Sequence, residues 1–410
     1  MNGLKGNAVV GQSGGPTAAI NATLAGVVRG VLESKCIDKL YGAFNGVEGL
    51  LEERYCVLSD IANTEDGLKL LENTPAAALG SCRKKLPKIE EGKETYEKLF
   101  EIFKKLDIKY FFYIGGNDSM DTVAKLTEYA KKIGSDLRVM GVPKTIDNDL
   151  CGTDHTPGYG SAAKFIATSM QEMLRDTAVY TVKAVTIVEI MGRDAGWLTA
   201  AAALPRLNCG IAPDLVYLPE VAFSIDEFVE DVNKALEKKP NVVVAVSEGA
   251  RDKDGRYIGE GTQSGALDVF GHKYLSGTGK MLENIVREKI GCKVRSVELN
   301  LPQRCASHCA SLTDLEESVK VGKAAVKNAE SGASGKMMCF ERKQGDYGVD
   351  CVPRDVCEIA NMIRFVPREF INERGNNVTD ECLRYILPLI YGEVSPIYKN
   401  GLPVHFVIER

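Results

Sequence analysis

The chain has 410 residues, enough for two to three domains, of which 44% are hydrophobic and 26% are charged. This balance is typical of a globular protein and excludes both a disordered chain and a small protein held together by disulfides. The net charge of -5 gives no overall basic surface for nucleic acid or an anionic membrane, so an anionic ligand would need a local basic cluster.

The twelve cysteines are spread from Cys36 to Cys382, which predicts reduced, mostly buried thiols rather than a disulfide framework. The amino terminus has no charged segment followed by an apolar stretch of signal-peptide length, and no apolar run approaches 18 residues. We therefore expect a cytoplasmic protein that binds neither membrane nor nucleic acid.

Short apolar runs alternate with amphipathic stretches along most of the chain, which predicts βα units around a parallel sheet. The predicted strands cover residues 7–10, 109–114, 137–142, 184–190, 242–246 and 295–299, with antiparallel edge strands near 336–342 and 404–408. The predicted helices cover residues 16–33, 94–106, 119–132, 161–175, 224–238, 279–290 and 312–329. The glycine-rich stretch 252–279 is interpreted as a long loop.

A glycine-rich turn follows the first predicted strand and contains Gly14, Gly15 and Pro16. Proline suits the first position of a helix, and the glycines let a ligand approach the positive end of that helix. The turn is therefore a candidate phosphate cradle, although a tight strand-to-helix turn without a ligand explains it equally well.

A basic turn follows at Arg83, Lys84 and Lys85. Guanidinium and ammonium groups in this arrangement could bind phosphate oxygens. The alternative is a solvated surface turn.

The second predicted strand ends in a double glycine followed by Asn117, Asp118 and Ser119. Here the glycines, including Gly116, could admit a phosphate while the acidic side chain holds Mg²⁺ or shapes the site. The alternative is that Asp118 or Ser119 only caps the following helix.

The third predicted strand runs into the most informative segment, residues 141–149, which contains Lys144, Thr145, Asp147 and Asp149. Two carboxylates two positions apart, beside a lysine and a threonine, supply what phosphoryl transfer to a hydroxyl needs: a base, a metal-facing acid and a cation. A polar turn is the structural alternative. Open α/β sheets bind their ligands at the carboxyl ends of strands, where these loops lie.

These motifs, together with residues 188–193, 246–249 and 295–304, resemble the phosphofructokinase family and specifically its pyrophosphate-dependent branch. The resemblance is colinear from residue 8 to about residue 315. It implies an α/β fold of two Rossmann-like, three-layer lobes with mainly parallel sheets. The implied domains are a pyrophosphate and Mg²⁺ lobe at 1–158 with part of 305–410, a sugar-phosphate lobe at 159–304, and a returning helix with a C-terminal segment at 305–410.

The resemblance also implies roles for individual residues. Asp147 matches the base that deprotonates the C1 hydroxyl of fructose 6-phosphate, with Lys144 and Asp118 as the other catalytic residues. The donor would be bound by Gly14, Gly15, Arg83, Lys84, Gly116 and Ser119, and Mg²⁺ by Asn117 and Asp149. The sugar phosphate would be bound by Thr145, Ile146, Asp147, Met191, Gly192, Arg193, Glu248, Arg295, Leu301 and Arg304.

Two positions bear on the phosphate donor, because the ATP-dependent branch usually has glycine where this chain has Asp118 and Lys144. A carboxylate at 118 would occupy and repel the space of a nucleotide α-phosphate, whereas Lys144 offers a charge to the small pyrophosphate anion. The resemblance therefore implies pyrophosphate as the donor.

Three positions depart from the family pattern. Asn117 stands where the family usually has the aspartate that faces Mg²⁺, and Leu301 where a histidine or tyrosine commonly bonds the sugar. Ala184 takes a position often held by an arginine that reaches into a neighbouring subunit, and Arg295 matches a second arginine of that kind. We therefore expect a homodimer or homotetramer with active sites at subunit interfaces.

The expected reaction is reversible, Mg²⁺-dependent phosphoryl transfer between pyrophosphate and fructose 6-phosphate. The alternatives are an ATP-dependent kinase on the same sugar, a non-catalytic sugar-phosphate-binding regulatory subunit, and a nucleotide-binding structural protein. The regulatory subunit would have lost the cluster around Asp147, which is complete here. The structural protein would not need Arg193, Glu248 and Arg304 together.

Overall fold

The structure of the protein is a computed structural model that describes residues 3–259 and 277–409. Most of the glycine-rich stretch predicted as a long loop, residues 260–276, lies outside the described residues. The last described part before it, from residue 252 to 259, contains turns and no helix.

The strands are numbered in chain order. They are Gly6–Gln12 (β1), Ile37–Ala43 (β2), Tyr55–Val57 (β3), Ile108–Gly115 (β4), Arg138–Pro143 (β5), Ala184–Ile190 (β6), Leu215–Tyr217 (β7), Asn241–Ser247 (β8), Lys293–Glu298 (β9), Lys336–Arg342 (β10), Val349–Asp355 (β11), Tyr398–Lys399 (β12) and Leu402–Pro403 (β13).

The helices are numbered in the same way. They are Ile20–Leu32 (α1), Gly46–Leu51 (α2), Leu58–Ile61 (α3), Glu65–Glu72 (α4), Lys93–Lys105 (α5), Asn117–Lys132 (α6), Tyr159–Thr177 (α7), Trp197–Ala201 (α8), Pro205–Cys209 (α9), Ile225–Lys238 (α10), Thr278–Lys289 (α11), Pro302–Cys305 (α12), Leu312–Glu330 (α13) and Asp380–Ile386 (α14).

Two sheets organise the molecule. The first has the order β11-β10-β5-β4-β1-β2-β3, and only its edge pairs, β10 with β11 and β2 with β3, are antiparallel. The second has the order β7-β8-β6-β9 and is parallel throughout. The predicted α/β class with mainly parallel sheets is confirmed.

Helices cover both faces of each sheet, as the buried apolar strands require. Along β1 and β4 the side chains alternate: Val10 and Phe112 pack under α1 and α13, whereas Val9 and Phe111 pack under α5 and α6. The second sheet is covered by α7 and α8 on one face and by α10 and α11 on the other. Each lobe therefore has three layers.

The returning helix α13 packs directly on α1 through two glycines. A Cβ atom at Gly26 would lie 2.2 Å from the carbonyl oxygen of Val319, and one at Gly322 would lie 2.3 Å from the carbonyl oxygen of Thr23. Only glycine allows the two backbones to approach this closely.

Three of the sequence predictions about secondary structure are wrong. Residues 336–342 form a strand, but β10 lies inside the sheet between β5, to which it is parallel, and the antiparallel edge strand β11. Residues 404–408 form no strand; the Val404 amide donates to Ile397 O and the Phe406 amide donates to Thr74 Oγ1. The helix predicted over 16–33 begins only at Ile20. Residues 13–19 are irregular because backbone bonds hold them to distant loops, including one from the amide of Ala76 to the carbonyl of Thr17 at 3.0 Å.

All twelve cysteines lie within the described residues and are free. Only Cys82, Cys339 and Cys382 are buried, so the expectation of mostly buried thiols is wrong. The others lie on edge strands, short helices and loops, where part of the side chain reaches solvent. Among the described helices, none is long and apolar enough to cross a membrane.

Candidate active site

The polar loops converge because the strands that precede them are neighbours. Strands β5, β4 and β1 are adjacent in the first sheet and parallel, so the loops that follow their carboxyl ends lie side by side. In the second sheet β6 and β8 are adjacent and end at Ile190 and Ser247. Residues 191–193 and 248 follow directly, and Arg193 and Glu248 lie close enough to Asp147 for their charges to interact with it. We call the space between these groups the cleft.

The first glycine loop is held open toward this cleft. The Ser13 amide donates to Ile114 O at 2.9 Å, and the Gly14 amide donates to Cys82 O at 3.0 Å. Gly14 has φ 77°, and a Cβ atom there would lie 3.1 Å from the ammonium nitrogen of Lys144. The backbone conformation therefore favours glycine at this position, and a larger residue would also displace the Lys144 ammonium slightly.

Lys144 joins the first and third loops. Its Nζ donates to Gly15 O at 2.6 Å, and its backbone amide donates to Gly115 O at 3.0 Å. The side chain is only 2% exposed, and this burial lowers the pKa of Lys144 to about 8. The negative charge of Asp147 raises the pKa and so limits this decrease. The Arg304 guanidinium lies against the first glycine loop, with Nη1 3.5 Å from where a Cβ atom of Gly15 would be.

Asp118 forms an ion pair with a residue that the sequence analysis did not place in the site. Lys85 Nζ lies 2.9 Å from Asp118 Oδ1, and both side chains are partly exposed. The pair joins the basic turn to the first turn of α6. The signal for Lys85 was present in the sequence, as the third cation of the turn, but only the fold brings it to Asp118.

The first glycine of the pair at the end of β4 serves packing. A Cβ atom at Gly115 would lie 1.9 Å from Ser119 Oγ, so Ser119 and Gly115 are in direct contact. Ser119 is only 1% exposed. A Cβ atom at Gly116 would lie 3.6 Å from the carbonyl oxygen of Lys144, which is an ordinary contact, so packing does not require glycine there.

The acidic loop, which we define as residues 144–158, presents Asp147 and Asp149 to the cleft. Thr145 Oγ1 accepts from the Asp147 amide at 3.1 Å and donates to Asp147 Oδ2 at 3.4 Å. Burial raises the pKa of Asp147. The positive charge of Arg193 is the largest of the influences that lower this pKa. Burial also raises the pKa of Asp149, and the negative charge of Asp147 raises it further.

The second lobe contributes a carboxylate and backbone amides. The Gly192 amide donates to Glu248 Oε1 at 3.3 Å, and Ser247 Oγ donates to Gly192 O at 2.5 Å. Burial raises the pKa of Glu248 to about 8, and the charge of Asp147 adds to this effect. The Met191 amide donates to the side-chain oxygen of Gln303 at 3.2 Å, a contact that the sequence analysis missed.

Four of the predicted site residues lie elsewhere than at this convergence. Ile146 is buried in an apolar core, Leu301 is 51% exposed, and Lys84 is exposed on the basic turn. Arg295 lies on the edge strand β9 opposite Thr186, near the amino-terminal end of the second sheet and away from residues 191–193. Arg83 is exposed, but its charge acts on both Lys144 and Arg304.

The residues predicted to hold a divalent cation fit such an ion. Asn117 Oδ1 is buried without a hydrogen-bond partner, and the half-buried Asp149 carboxylate lies near enough to Asp147 for their charges to interact. Amide and carboxylate oxygens are the ligands that Mg²⁺ prefers. The described residues hold no group of three or more His, Cys, Asp or Glu side chains suited to a metal, so part of the shell would come from water and phosphate oxygens.

Comparison with known proteins agrees with this architecture. Residues 7–329 match the family model described as phosphofructokinase. The chain is 40% identical over 403 residues to the pyrophosphate--fructose 6-phosphate 1-phosphotransferase of Halomonas elongata, covering 97% of this chain and 94% of that protein.

Solved structures show the same similarity. The pyrophosphate-dependent phosphofructokinase of Nitrosospira multiformis superposes with a TM-score of 0.87 at 36% identity, covering 97% of this chain and 95% of that one. That of Marinobacter aquaeolei gives the same score and identity, covering 99% and 98%. The chain belongs to the phosphofructokinase family, on its pyrophosphate-dependent branch.

Proposed function

We propose that this chain catalyses the reversible, Mg²⁺-dependent transfer of a phosphoryl group between pyrophosphate and the C1 hydroxyl of fructose 6-phosphate, in the cytoplasm. The observation that carries the proposal is the position of Lys144. A buried ammonium, in hydrogen-bond contact with the first glycine loop and close to Asp147, suits a small, highly charged donor. The relatives named for this reaction support the same reading.

In the forward direction Asp147 accepts the proton of the C1 hydroxyl as the C1 oxygen attacks a phosphorus of pyrophosphate. The bond from that phosphorus to the bridging oxygen breaks, and orthophosphate leaves. The raised pKa of Asp147 makes this carboxylate a stronger base than an exposed aspartate. Lys144 and Arg83 stabilise the negative charge of the transferring group.

Mg²⁺, held by Asp149 and Asn117, would neutralise phosphate oxygens during transfer. The two carboxylates support this assignment, because the negative charge of Asp147 raises the pKa of Asp149 and a nearby cation would relieve that repulsion. Asn117 offers a neutral oxygen rather than a second charge.

The sugar is proposed to lie between the acidic loop and the second lobe. Thr145, Gly192, Arg193 and Glu248 surround that space, and Met191 contributes its backbone. Arg304 is the proposed 6-phosphate ligand from the same subunit. Leu301 and Ile146 can contribute only apolar contact or backbone groups.

We further propose that two subunits complete each active site. Arg295 supports this, because it lies near the amino-terminal end of an edge strand and could meet a sugar phosphate only in a neighbouring molecule. The adjoining surface exposes Val179, Tyr180 and Val182, which are 70%, 53% and 56% exposed. Apolar side chains of this size at a sheet edge are typical of a protein interface.

The donor decides between the proposed function and its ATP-dependent alternative. Purified protein is incubated with fructose 6-phosphate, Mg²⁺ and one donor only, either pyrophosphate, ATP or ADP, and fructose 1,6-bisphosphate is measured. We expect turnover with pyrophosphate and little or none with the nucleotides. Comparable kcat/KM for pyrophosphate and ATP would refute the donor assignment, and binding of sugar phosphate without any turnover would favour the regulatory subunit.

Asp118 is expected to exclude ATP, and its ion pair with Lys85 provides a control variant that leaves the carboxylate in place. Asp118→Gly removes a carboxylate and its volume, so ATP should compete with pyrophosphate measurably, even if turnover with ATP stays poor. Lys85→Met is the matched control, because it breaks the pair but leaves the carboxylate in place. If Lys85→Met binds ATP and Asp118→Gly does not, then Asp118 is not the residue that excludes ATP.

A further inference from the structure

Asn148 stands between the two cleft carboxylates in an unusual backbone conformation. It has φ 53° and is 0% exposed; the left-handed region is uncommon for residues other than glycine, although asparagine adopts it more readily than most. A residue held there needs support from its surroundings. Its side-chain nitrogen donates to Tyr385 Oη at 3.2 Å, while its side-chain oxygen has no partner.

The hydroxyl of Tyr385 bonds two residues of the acidic loop and one residue of the C-terminal segment. It donates to Asp154 O at 2.6 Å, and it accepts from Asn148 Nδ2 and from Arg364 Nη2, each at 3.2 Å. A phenol has one donor and two acceptor positions, so all of its bonding capacity is used. Burial raises the pKa of Tyr385, so the donating proton is retained. The hydroxyl thus ties both halves of the acidic loop to one atom.

The ring of Tyr385 is itself fixed. The guanidinium carbon of Arg342 lies 4.6 Å from the ring centroid, that of Arg364 lies 5.5 Å away, and the Trp197 ring lies 5.2 Å away. Two cations and an indole around one ring leave it little freedom. The position of the hydroxyl is therefore set by packing that does not depend on the hydroxyl.

The same C-terminal segment also ties the backbone of the acidic loop. The Arg364 amide donates to Asp149 O at 2.8 Å, and Leu150 and Ile363 form an antiparallel bridge. Residues 363, 364 and 385 all lie beyond the 7–329 range that matches the family model. The acidic loop is thus supported by a part of the chain outside that range.

We propose that Tyr385 is a positioning residue for phosphoryl transfer, whose hydroxyl holds Asn148 and thereby sets where Asp147 and Asp149 stand in the cleft. Without the hydroxyl, Asn148 would lose the support for its left-handed conformation, and the two carboxylates would no longer be held at one spacing. The kinetic meaning of this inference rests on the proposed function, whereas the ordering of the loop is tested without turnover.

The test is Tyr385→Phe, which keeps the ring and its contacts with the two arginines and removes only the hydroxyl. We expect kcat with pyrophosphate to fall about 10- to 100-fold, with less than about a threefold change in KM for fructose 6-phosphate. Tyr217→Phe is the matched control, because its buried hydroxyl bonds the Asp231 carboxylate at 3.0 Å in the other lobe. The control should keep kcat within about twofold of the parent enzyme, since it lies outside the cleft.

Hydrogen exchange gives a readout that does not need activity. In Tyr385→Phe the amides of residues 145–150 should exchange faster than in the parent, while Tyr217→Phe should leave them unchanged. Parent protein that is inactive with pyrophosphate would defeat the proposed function, and the exchange result would still decide the ordering. Unchanged exchange at 145–150, or a kcat within about twofold of the parent, would overturn the positioning role.

Asn148→Gly removes the same hydrogen bond by changing its other partner. This variant replaces Tyr385→Phe as the test if Tyr385→Phe does not fold. Glycine adopts the left-handed conformation without strain but cannot bond the hydroxyl, so kcat should fall with faster exchange of the loop. In that background, Tyr385→Phe should lower kcat by less than about threefold, because the contact is already lost. Fully additive losses would show that Tyr385 does not act through Asn148.

Discussion

Asp147→Asn should lower kcat by about 10²- to 10⁴-fold with only a modest effect on the KM for fructose 6-phosphate. The substitution keeps the shape and the bond from the backbone amide of residue 147 to Thr145 Oγ1 but removes the base. Because burial raises the pKa of Asp147, the parent kcat/KM should fall as the pH drops through a value above the usual aspartate pKa of about 4. This acid limb should be absent from the residual activity of the variant.

The control for Asp147→Asn is Asp231→Asn, which changes another buried carboxylate, bonded to Tyr217 and Arg374 on the far side of the second lobe. Steady-state kinetics across pH for both variants, with melting temperatures, separate chemistry from stability. The control should lose stability and keep kcat. Near-parent turnover in Asp147→Asn would mean that another group accepts the C1 proton.

Lys144→Met should lower kcat with pyrophosphate by about 10²- to 10³-fold, the loss typical of one electrostatic stabiliser. Methionine matches the length of the lysine stem and removes only the cation near the donor. Because burial lowers the pKa of Lys144 to about 8, the parent should also lose activity as the pH rises through that region and the ammonium is deprotonated. The variant should lack this alkaline limb.

Lys164→Met is a close control for Lys144→Met. Lys164 is also buried, and its ammonium donates to Gly392 O at 2.6 Å, the same distance that separates Lys144 Nζ from Gly15 O. It lies on α7 and bonds the C-terminal segment rather than a cleft loop. Similar kcat losses in the two variants would attribute the effect to lost packing and not to charge at the donor.

The α/β class and the local chemistry of the three loops were determined by the sequence alone. Fully buried strands such as β4 appear as continuous apolar runs, and the glycines and carboxylates follow them within a few positions. These signals are local, so no tertiary contact is needed to detect them. Because parallel strands end at one edge of a sheet, the loops could also be expected to lie together.

The local sequence patterns predicted the wrong secondary structure where contacts with distant parts of the chain determine the backbone conformation. Pro16 is compatible with a helix start, yet hydrogen bonds to neighbouring loops hold residues 13–19 irregular until Ile20. Residues 404–408 have an apolar pattern that suits a strand but find no partner strand. In both places the local helix or strand propensity does not decide the backbone conformation, because the hydrogen-bond partners come from distant parts of the fold and not from neighbours in sequence.

The electrostatics of the site were decided only by tertiary structure. Lys144 contacts Gly15, which is 129 positions away in sequence, and Tyr385 contacts Asn148, which is 237 positions away. Asp118 contacts Lys85 of the basic turn. No pattern along the chain records which of many charged or hydroxyl groups will meet, because that depends on how the layers pack. Burial in the same cleft then moves the pKa values of the lysine and the carboxylates in opposite directions, since a low-dielectric environment disfavours both charges.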